Sequence, residues 1–286
     1  MKAITWEVIV PKLANAYGCA MMTTSLPIGD LLRDWRQRRR LSQFALADEA
    51  GVSPRHLSFI ETGRSRPSRE MLVRLMERLE IPLRERNLLL HSAGFAALYP
   101  ERRLDDADLA AARRAVDLVL AGHEPNPALA VDRAWNLVAM NRAVRFLIAG
   151  AEPKLLAPPV NVLRLSLHPA GLAPRIVNLN QWRGHLFARL RHEIERTADA
   201  RLADLLAELE RYPNRLDGAG ADSSRSPELI VPLRLRTERG EATFFSTTMV
   251  FGAPSEVTLS ELAIESFFPA DHATAAIMRA LASEPR

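Results

Sequence analysis

The chain has 286 residues, 48% of them apolar, enough for more than one buried core, and no apolar run reaches the length of a membrane-spanning helix. Its formal net charge is +4, and the 13 arginines set against 9 acidic residues between Leu26 and Leu98 account for all of it. The single cysteine, Cys19, excludes a disulfide within the chain and any cysteine-based zinc cluster.

The first 25 residues read as a disordered extension. Their apolar stretch is broken by Glu7 and by Pro11-Lys12, which argues against an export signal and for a cytoplasmic protein. The folded part opens with IGDLLRDWRQRRR, an amphipathic helix with Ile28, Leu31, Leu32 and Trp35 on one face. The triplet Arg38-Arg39-Arg40 at its end is a solvated helix terminus, given weight only by the segment beside it.

That segment is LSQFALADEAGVSPRHLSFIETG. With Gln43 as its first position, Ala47 is fifth, Gly51 ninth, Leu57 fifteenth and Ile60 eighteenth. Ala47 is small where two helices must cross closely, and Gly51 takes the positive φ that ends one helix and turns the chain. Ser53 caps the next helix, and Pro54 occupies its first position, where a missing N–H costs nothing. Leu57 and Ile60, one turn apart, face the bundle. The spacing predicts a helix-turn-helix whose second helix, Pro54 to Glu61, lies in a DNA major groove. Its outward residues Ser53, Arg55, His56 and Phe59 are of types that reach base edges or thymine methyls. A bundle that binds only protein is the alternative, and those outward residues are the argument against it. Beyond a Gly-containing loop, SREMLVRLMERLEI gives a fourth helix and PLRERNLLLHSAGF a fifth, closed by Gly94.

Residues 26–98 thus resemble the lambda-repressor-like helix-turn-helix domain of the XRE family of bacterial regulators. The resemblance implies that Ser42 and Gln43, opening the first helix of the motif, contact phosphate or a base. It also implies that Arg64, Arg66 and Arg69 contact phosphate. In the same family an arginine of the first helix pairs with the glutamate that ends the recognition helix. Here those positions hold Arg36 and Glu61, expected to be a structural pair. The expected partner is double-stranded DNA, bound by a homodimer on a two-fold-related site.

ALYPERRLDDADL marks a boundary. Pro100 halts the fifth helix, residues 99–105 form a linker, and Asp105-Asp106 open a helix over 107–121. Alternation through Ala128, Ala130, Trp135, Leu137 and Ala139 predicts a short hairpin around Asp132-Arg133. Asn141 is expected to cap a short helix ending near Gly150, and Asn161 to cap another in NVLRLSLHP, stopped by Pro169. Long helices are expected over 181–197 and 199–211. RLDGAGADSSRSP, rich in Gly, Ser and Asp, reads as a mobile loop. LIVPLRLRTERGEATFFSTTMVFG alternates on both sides of Arg239-Gly240 as a hairpin of long strands. VTLSELAIESFFP gives a third strand and ADHATAAIMRALA a closing helix. The fold class expected is multi-domain, an all-α bundle followed over 106–286 by an α+β domain with helices on one face of an antiparallel sheet.

WNLVAMNRA, NVLRLSLHP and NQWRGHLFARLR, in that order, resemble the C-terminal domains of MmyB-like regulators. The resemblance implies a PAS-like fold and a small apolar ligand, with a fatty acid as the first candidate. Six residues are candidates for that ligand. Trp135 and Trp182 either line a cavity or simply fill a core. Asn141 and Asn161 are explained by capping alone. Arg164 and His168, four apart on one helix face, would hold a carboxylate head, or Arg164 would bridge to the sheet. His185 and His192, seven apart, lack metal-ligand spacing, and no serine elbow, phosphate loop or supported carboxylate pair is visible. The chain is therefore read as a non-enzymatic one-component regulator without a cofactor or membrane partner. The helix over 106–121 would couple the ligand to DNA. In the alternative, DNA binding is constitutive and the second domain serves only dimerisation, which a core without a pocket of roughly several hundred Å³ would favour.

Overall fold

The computed structural model describes residues 26–213 and 230–283. The predicted N-terminal extension and the Gly-, Ser- and Asp-rich segment lie outside the described residues. The first part holds the five expected helices, α1 (Ile28–Arg38), α2 (Gln43–Ala50), α3 (Pro54–Glu61), α4 (Arg69–Arg78) and α5 (Leu83–Ser92). Their starts are set by side chains. The hydroxyl oxygens of Ser42, Ser53 and Ser68 accept the backbone N–H of Ala45, His56 and Met71, satisfying amides that a helix end leaves without a partner. Gly51 adopts φ 66, the left-handed stop its position predicts.

The bundle closes around Leu32, Trp35, Leu46, Ala47, Leu57, Ile60, Leu72 and Leu75, all buried. The packing of α1 on the end of α3 is tight enough to require glycine. A Cβ at Gly29 would stand 2.4 Å from the Ile60 carbonyl oxygen and 2.8 Å from that of Glu61.

The second part begins with a tight 3-10 turn, Ala107–Leu109, capped by Asp106, which runs into α6 (Ala110–Gly122). There follow β1 (Ala128–Val131), β2 (Leu137–Met140), α7 (Val144–Ile148) and α8 (Val162–Leu167). Next come α9 (Leu179–Thr197) and α10 (Ala200–Glu210), then β3 (Leu233–Thr237) and β4 (Gly240–Val250). The chain ends in α11 (Val257–Ser260), β5 (Ala263–Pro269) and α12 (His272–Ala282). The strands make one antiparallel sheet of order β2-β1-β5-β4-β3, the α+β, PAS-like architecture expected.

Both faces of this sheet are covered, where sequence reasoning expects helices on one. Ala128 and Ala130 pack with Val116 and Leu120 of α6 on one side. Leu129 and Val131 join Val144, Leu163, Leu186 and the other residues of the larger core on the opposite side. That is why β1 is buried at all four positions and reads ALAV without a polar alternate.

Several expectations need correction. Trp135 belongs to no strand but to the turn between β1 and β2, at φ 63. Asn141 does not cap α7. Its Oδ1 accepts the Ala128 N–H and its amide donates to the carbonyls of Leu120 and Asn126, so it ties the hairpin to the end of α6. Residues VTLS form α11, capped by the Glu256 carboxylate, and the third strand starts only at Ala263. α9 begins at Leu179, and β3 is only 5 residues long. Asn161 does cap α8, accepting the Arg164 N–H.

Candidate functional site

Two surfaces carry the chemistry, the outer face of α2 and α3 and the space between the sheet and α7–α9. On α3, Ser53 and Arg55 are exposed, while His56 and Phe59 are half-buried at the same edge. The Arg55 and Arg64 guanidiniums lie 5.4 and 5.9 Å from the centre of the Phe59 ring. One aromatic face thus steadies two cations, one from the helix and one from the loop beyond it. Arg66 and Arg69 are exposed on the same loop and at the start of α4. Ser42 and Ser53 accept backbone N–H groups as caps, which leaves each hydroxyl proton for an outside acceptor. Phe44, 70% exposed beside Gln43, is a residue that sequence reasoning passes over. Its register, off the buried positions of α2, is the signal that could have found it.

The tilt of α3 is fixed by Glu61, whose side chain is fully buried. Arg36 donates to both of its carboxylate oxygens at 2.7 and 2.8 Å, as the resemblance implies. Gln43 donates an amide N–H to Oε2 at 2.8 Å, and Arg33 reaches the Glu61 carbonyl at 2.6 Å. One N–H of Gln43 is therefore turned inward as a brace, leaving the rest of the amide for any outward contact. Burial alone would push the Glu61 carboxyl up. The hydrogen bonds from Arg36 and Gln43 and the nearby arginine charges outweigh it and hold the group below the ordinary carboxylate range.

In the second part an apolar cavity of about 80 Å³ lies between the sheet and helices α7, α8 and α9. Trp135 and Trp182 are in its wall, with Leu129, Leu137, Leu163 and Phe267. The Trp182 indole N–H donates to the Ser166 hydroxyl at 3.0 Å. The polar group facing this space is an ion pair that sequence reasoning misses. Arg189 of α9 donates to both oxygens of Glu265 on β5, at 3.2 and 2.6 Å, and its guanidinium lies 4.9 Å from the Trp135 ring centre. Glu265 is 4% exposed in a strand whose one other polar residue is Ser266, and a buried carboxylate needs a paired cation. That oddity was readable in AIESFF, although the identity of the partner 76 residues away was not.

The other four ligand candidates stand elsewhere. Asn141 and Asn161 spend their side chains on the backbone. Arg164 is paired with Glu208 of α10 at 2.8 and 2.7 Å, a bridge to a helix and not to the sheet. His168 accepts the Ala170 N–H on Nδ1 and lies edge-on to Tyr212. Of the histidine pair, His185 stacks obliquely near Trp182 while His192 is exposed. Among the described residues no group of three His, Cys, Asp or Glu could hold a metal ion.

Residues 112–281, more than half of the chain, match the family model of the MmyB-like transcription regulator ligand binding domain. The chain belongs to the MmyB-like transcription regulators. Residues 27–89 of this MmyB-like regulator match a helix-turn-helix domain model, so a DNA-binding part precedes the ligand-binding one. No curated protein matches the chain. Among solved structures, the clp gene regulator ClgR from Corynebacterium glutamicum is 28% identical. That match covers 34% of this chain and 90% of that one, with a TM-score of 0.21. A SinR protein/SinI protein complex gives 20% identity over 33% of this chain and 80% of that one, with a TM-score of 0.20.

In this MmyB-like regulator the two parts meet through buried charge. Arg133, in the turn between β1 and β2, is 9% exposed and donates to Glu85 of α5, Asp199 at the cap of α10, and Glu261 after α11. Arg84, also on α5, holds both oxygens of the same Glu261 at 2.8 Å and pairs with Glu101. Arg39 at the end of α1 reaches the Arg196 carbonyl at the end of α9. The linker is pinned as well. Asn87 bonds Leu98 and Tyr99 on one side, and Arg102 bonds Glu256 and Thr258 on the other. Burial would push the Asp199 carboxyl up, but hydrogen bonds from Arg201 and the Arg133 charge hold it down, to about 2. Glu85 is pushed up instead by burial, and its Oε2 has no hydrogen-bond partner. The helix expected to couple the parts, α6, packs on the sheet. The bridge to the DNA-binding part is carried by α5, the Arg133 turn and α11.

Proposed function

We propose that this chain is a cytoplasmic one-component regulator, acting as a homodimer, that reads operator DNA with α3 and responds to a small apolar ligand held between Trp135 and Trp182. The observation carrying the DNA half is the exposure of Ser53 and Arg55 on a helix whose tilt is locked from behind by the Arg36–Glu61–Gln43 bonds. Base contact falls to Ser53, Arg55, His56 and Phe59, and phosphate contact to Ser42, Gln43, Arg64, Arg66 and Arg69. Phe44 adds an apolar edge beside them.

For the ligand half, the support is an apolar cavity whose charged wall, the Arg189–Glu265 pair, is self-neutralised. At about 80 Å³ it is smaller than a usual ligand pocket of roughly 300–1,000 Å³. A short apolar molecule therefore enters first, and a long-chain fatty acid needs α7 and α8 to part from the sheet. A carboxylate head would also have to take Arg189 from Glu265. Trp135 connects this space to DNA binding, since it is two residues from Arg133 and sits at a positive φ that costs about 1–3 kcal/mol unless its surroundings enforce it. Ligand shifts DNA affinity only by favouring one setting of that turn.

The test is operator affinity of the full chain by fluorescence anisotropy, alone and with decanoic acid or decan-1-ol, beside native mass spectrometry of protein taken directly from cells. The proposal expects a copurified apolar molecule and at least an approximately fivefold change in affinity. Equal affinities under saturating ligand would establish the second reading, constitutive DNA binding, which the small cavity favours.

A further inference from the structure

A second, larger concavity lies outside the apolar cavity and shares no wall residue with it. It is a cleft of about 830 Å³ bounded by the segment before β1, the outer side of α7, the turn from β3 to β4 and the end of α12. Its polar wall holds Arg142, Arg145, Arg175, Arg236 and Arg239, against Glu124 and Glu238. Its apolar floor is Phe146, Met278 and Leu281.

Four of these arginines, Arg142, Arg145, Arg175 and Arg236, make no ion pair with a carboxylate among the described residues, and the Arg142 guanidinium is already turned to the Ala282 carbonyl at 3.0 Å. Arg175 is half-buried and donates to main-chain carbonyls, those of Phe146, Leu147 and Ala149 at the end of α7 and that of Arg236 on β3. These bonds orient the guanidinium and leave its charge unpaired. Burial pulls its pKa below the ordinary arginine value, with Glu238 close enough to oppose that only in part. Among the described residues no carboxylate lies within ion-pair distance of Arg145, Arg175 or Arg236. The Glu124 Oε1 is occupied by the Arg142 backbone N–H at 2.7 Å. Cations gathered in a concave wall with low-dielectric backing repel one another and focus a positive potential, which an anion relieves. Planar guanidiniums suit two-pronged contact with a carboxylate or phosphate, and the floor suits an apolar body.

We propose that this cleft binds a second ligand, an organic oxyanion with a compact apolar body. Arg145, Arg175 and Arg236 hold the head, and Phe146, Met278 and Leu281 pack against the body. A cleft with an apolar floor receives a small molecule in a way that it does not receive the convex ridge of a duplex. Because α7 contributes Val144 and Leu147 to the inner cavity and Arg145 and Phe146 to the cleft, occupancy here would reach the inner site through a single short helix.

The experiment is calorimetric titration of the full chain with 1-naphthyl phosphate, 1-naphthoate, inorganic phosphate and 1-naphthol. The expected result is saturable one-site binding of a naphthyl anion, about tenfold tighter than inorganic phosphate or naphthol. Whichever anion binds more tightly identifies the head as phosphate or carboxylate. The double variant Arg145→Ala/Arg236→Ala, changing two exposed side chains, should weaken binding at least about tenfold with an unchanged unfolding temperature. Saturating decan-1-ol, the neutral probe of the inner cavity, should not displace the anion. No saturable binding, an unchanged Kd in the double variant, or displacement by decan-1-ol or by duplex DNA would each overturn the proposal. None of these results bears on whether decan-1-ol alters operator affinity, so the two sites fail separately.

Discussion

Arg55 and Arg66 are both exposed arginines near the recognition helix, yet they differ in what they can touch. Arg55 is steadied over Phe59 on α3 and Arg66 stands in the following loop, so under the proposed reading Arg55 would meet a base edge and Arg66 the phosphate backbone. Arg55→Ala should reduce discrimination between operator and mismatched sites by about 1–3 kcal/mol. Arg66→Ala should weaken binding to all sequences alike and flatten its salt dependence. Competition binding at several salt concentrations separates the two, and unchanged preference in Arg55→Ala would show that α3 is set differently in the groove. Gly29→Ala makes a structural counterpart. Its new methyl would meet two backbone carbonyls and not a yielding side chain. Thermal unfolding should show a loss of about 1–3 kcal/mol, together with weaker operator binding as α3 is pushed off α1.

At the scale of elements, the outcome of Arg133→Ala is large. It strands Glu85 beside a hole where a 9%-exposed guanidinium stood and leaves Asp199 to Arg201 and Glu261 to Arg84 alone, and breaking a buried pair in this way costs about 3–5 kcal/mol. Glu85→Gln should cost far less at neutral pH, because that carboxyl is already pushed up by burial and has one unpartnered oxygen. Chemical denaturation with a probe in each part would show the arginine variant uncoupling their transitions and the glutamine variant leaving them together. Capping residues, glycine stops and hydrophobic period made the helices of the first part legible, because each rests on neighbours a few positions away. The recognition motif was legible for the same reason. The Arg189–Glu265 pair and the Arg133 hub were not, since they join residues 48 to 128 positions apart and only tertiary contact reveals the partner. Asn141 misled for a related reason, since a residue at a plausible cap position was claimed by the hairpin edge behind it. Trp135 looked like a strand residue because alternation carried through a turn whose geometry is set by Asp132, which accepts the backbone N–H of Ala134 and Asn136.

For the whole molecule, the clearest environmental lever is acid. The Glu61 and Asp199 carboxyls both titrate below their ordinary values of 4.5 and 3.8. The folded chain thus binds fewer protons than the unfolded one in this range. The stability these groups supply is fully present above the unfolded values and is lost as pH falls towards about 2, the folded value for Asp199. Glu85 has the opposite sign, favouring the fold at low pH and losing that contribution as pH rises past 4.5. Unfolding temperature should therefore fall between pH 5 and about 2 in the native chain, and less steeply in Asp199→Asn, as calorimetry would show. An equal slope in both would mean that the junction between the parts contributes nothing to acid sensitivity.

The pinned junction also bears on how far this protein can be taken apart. A fragment cut after α5 would leave Glu85 without Arg133 and Arg84 without Glu261, exposing to water a face composed for an ionic mate. The DNA reader is thus not an interchangeable cassette. Transplanted onto a foreign effector module, it would need a basic knob and an acidic socket rebuilt on the new host before it stood in its native pose.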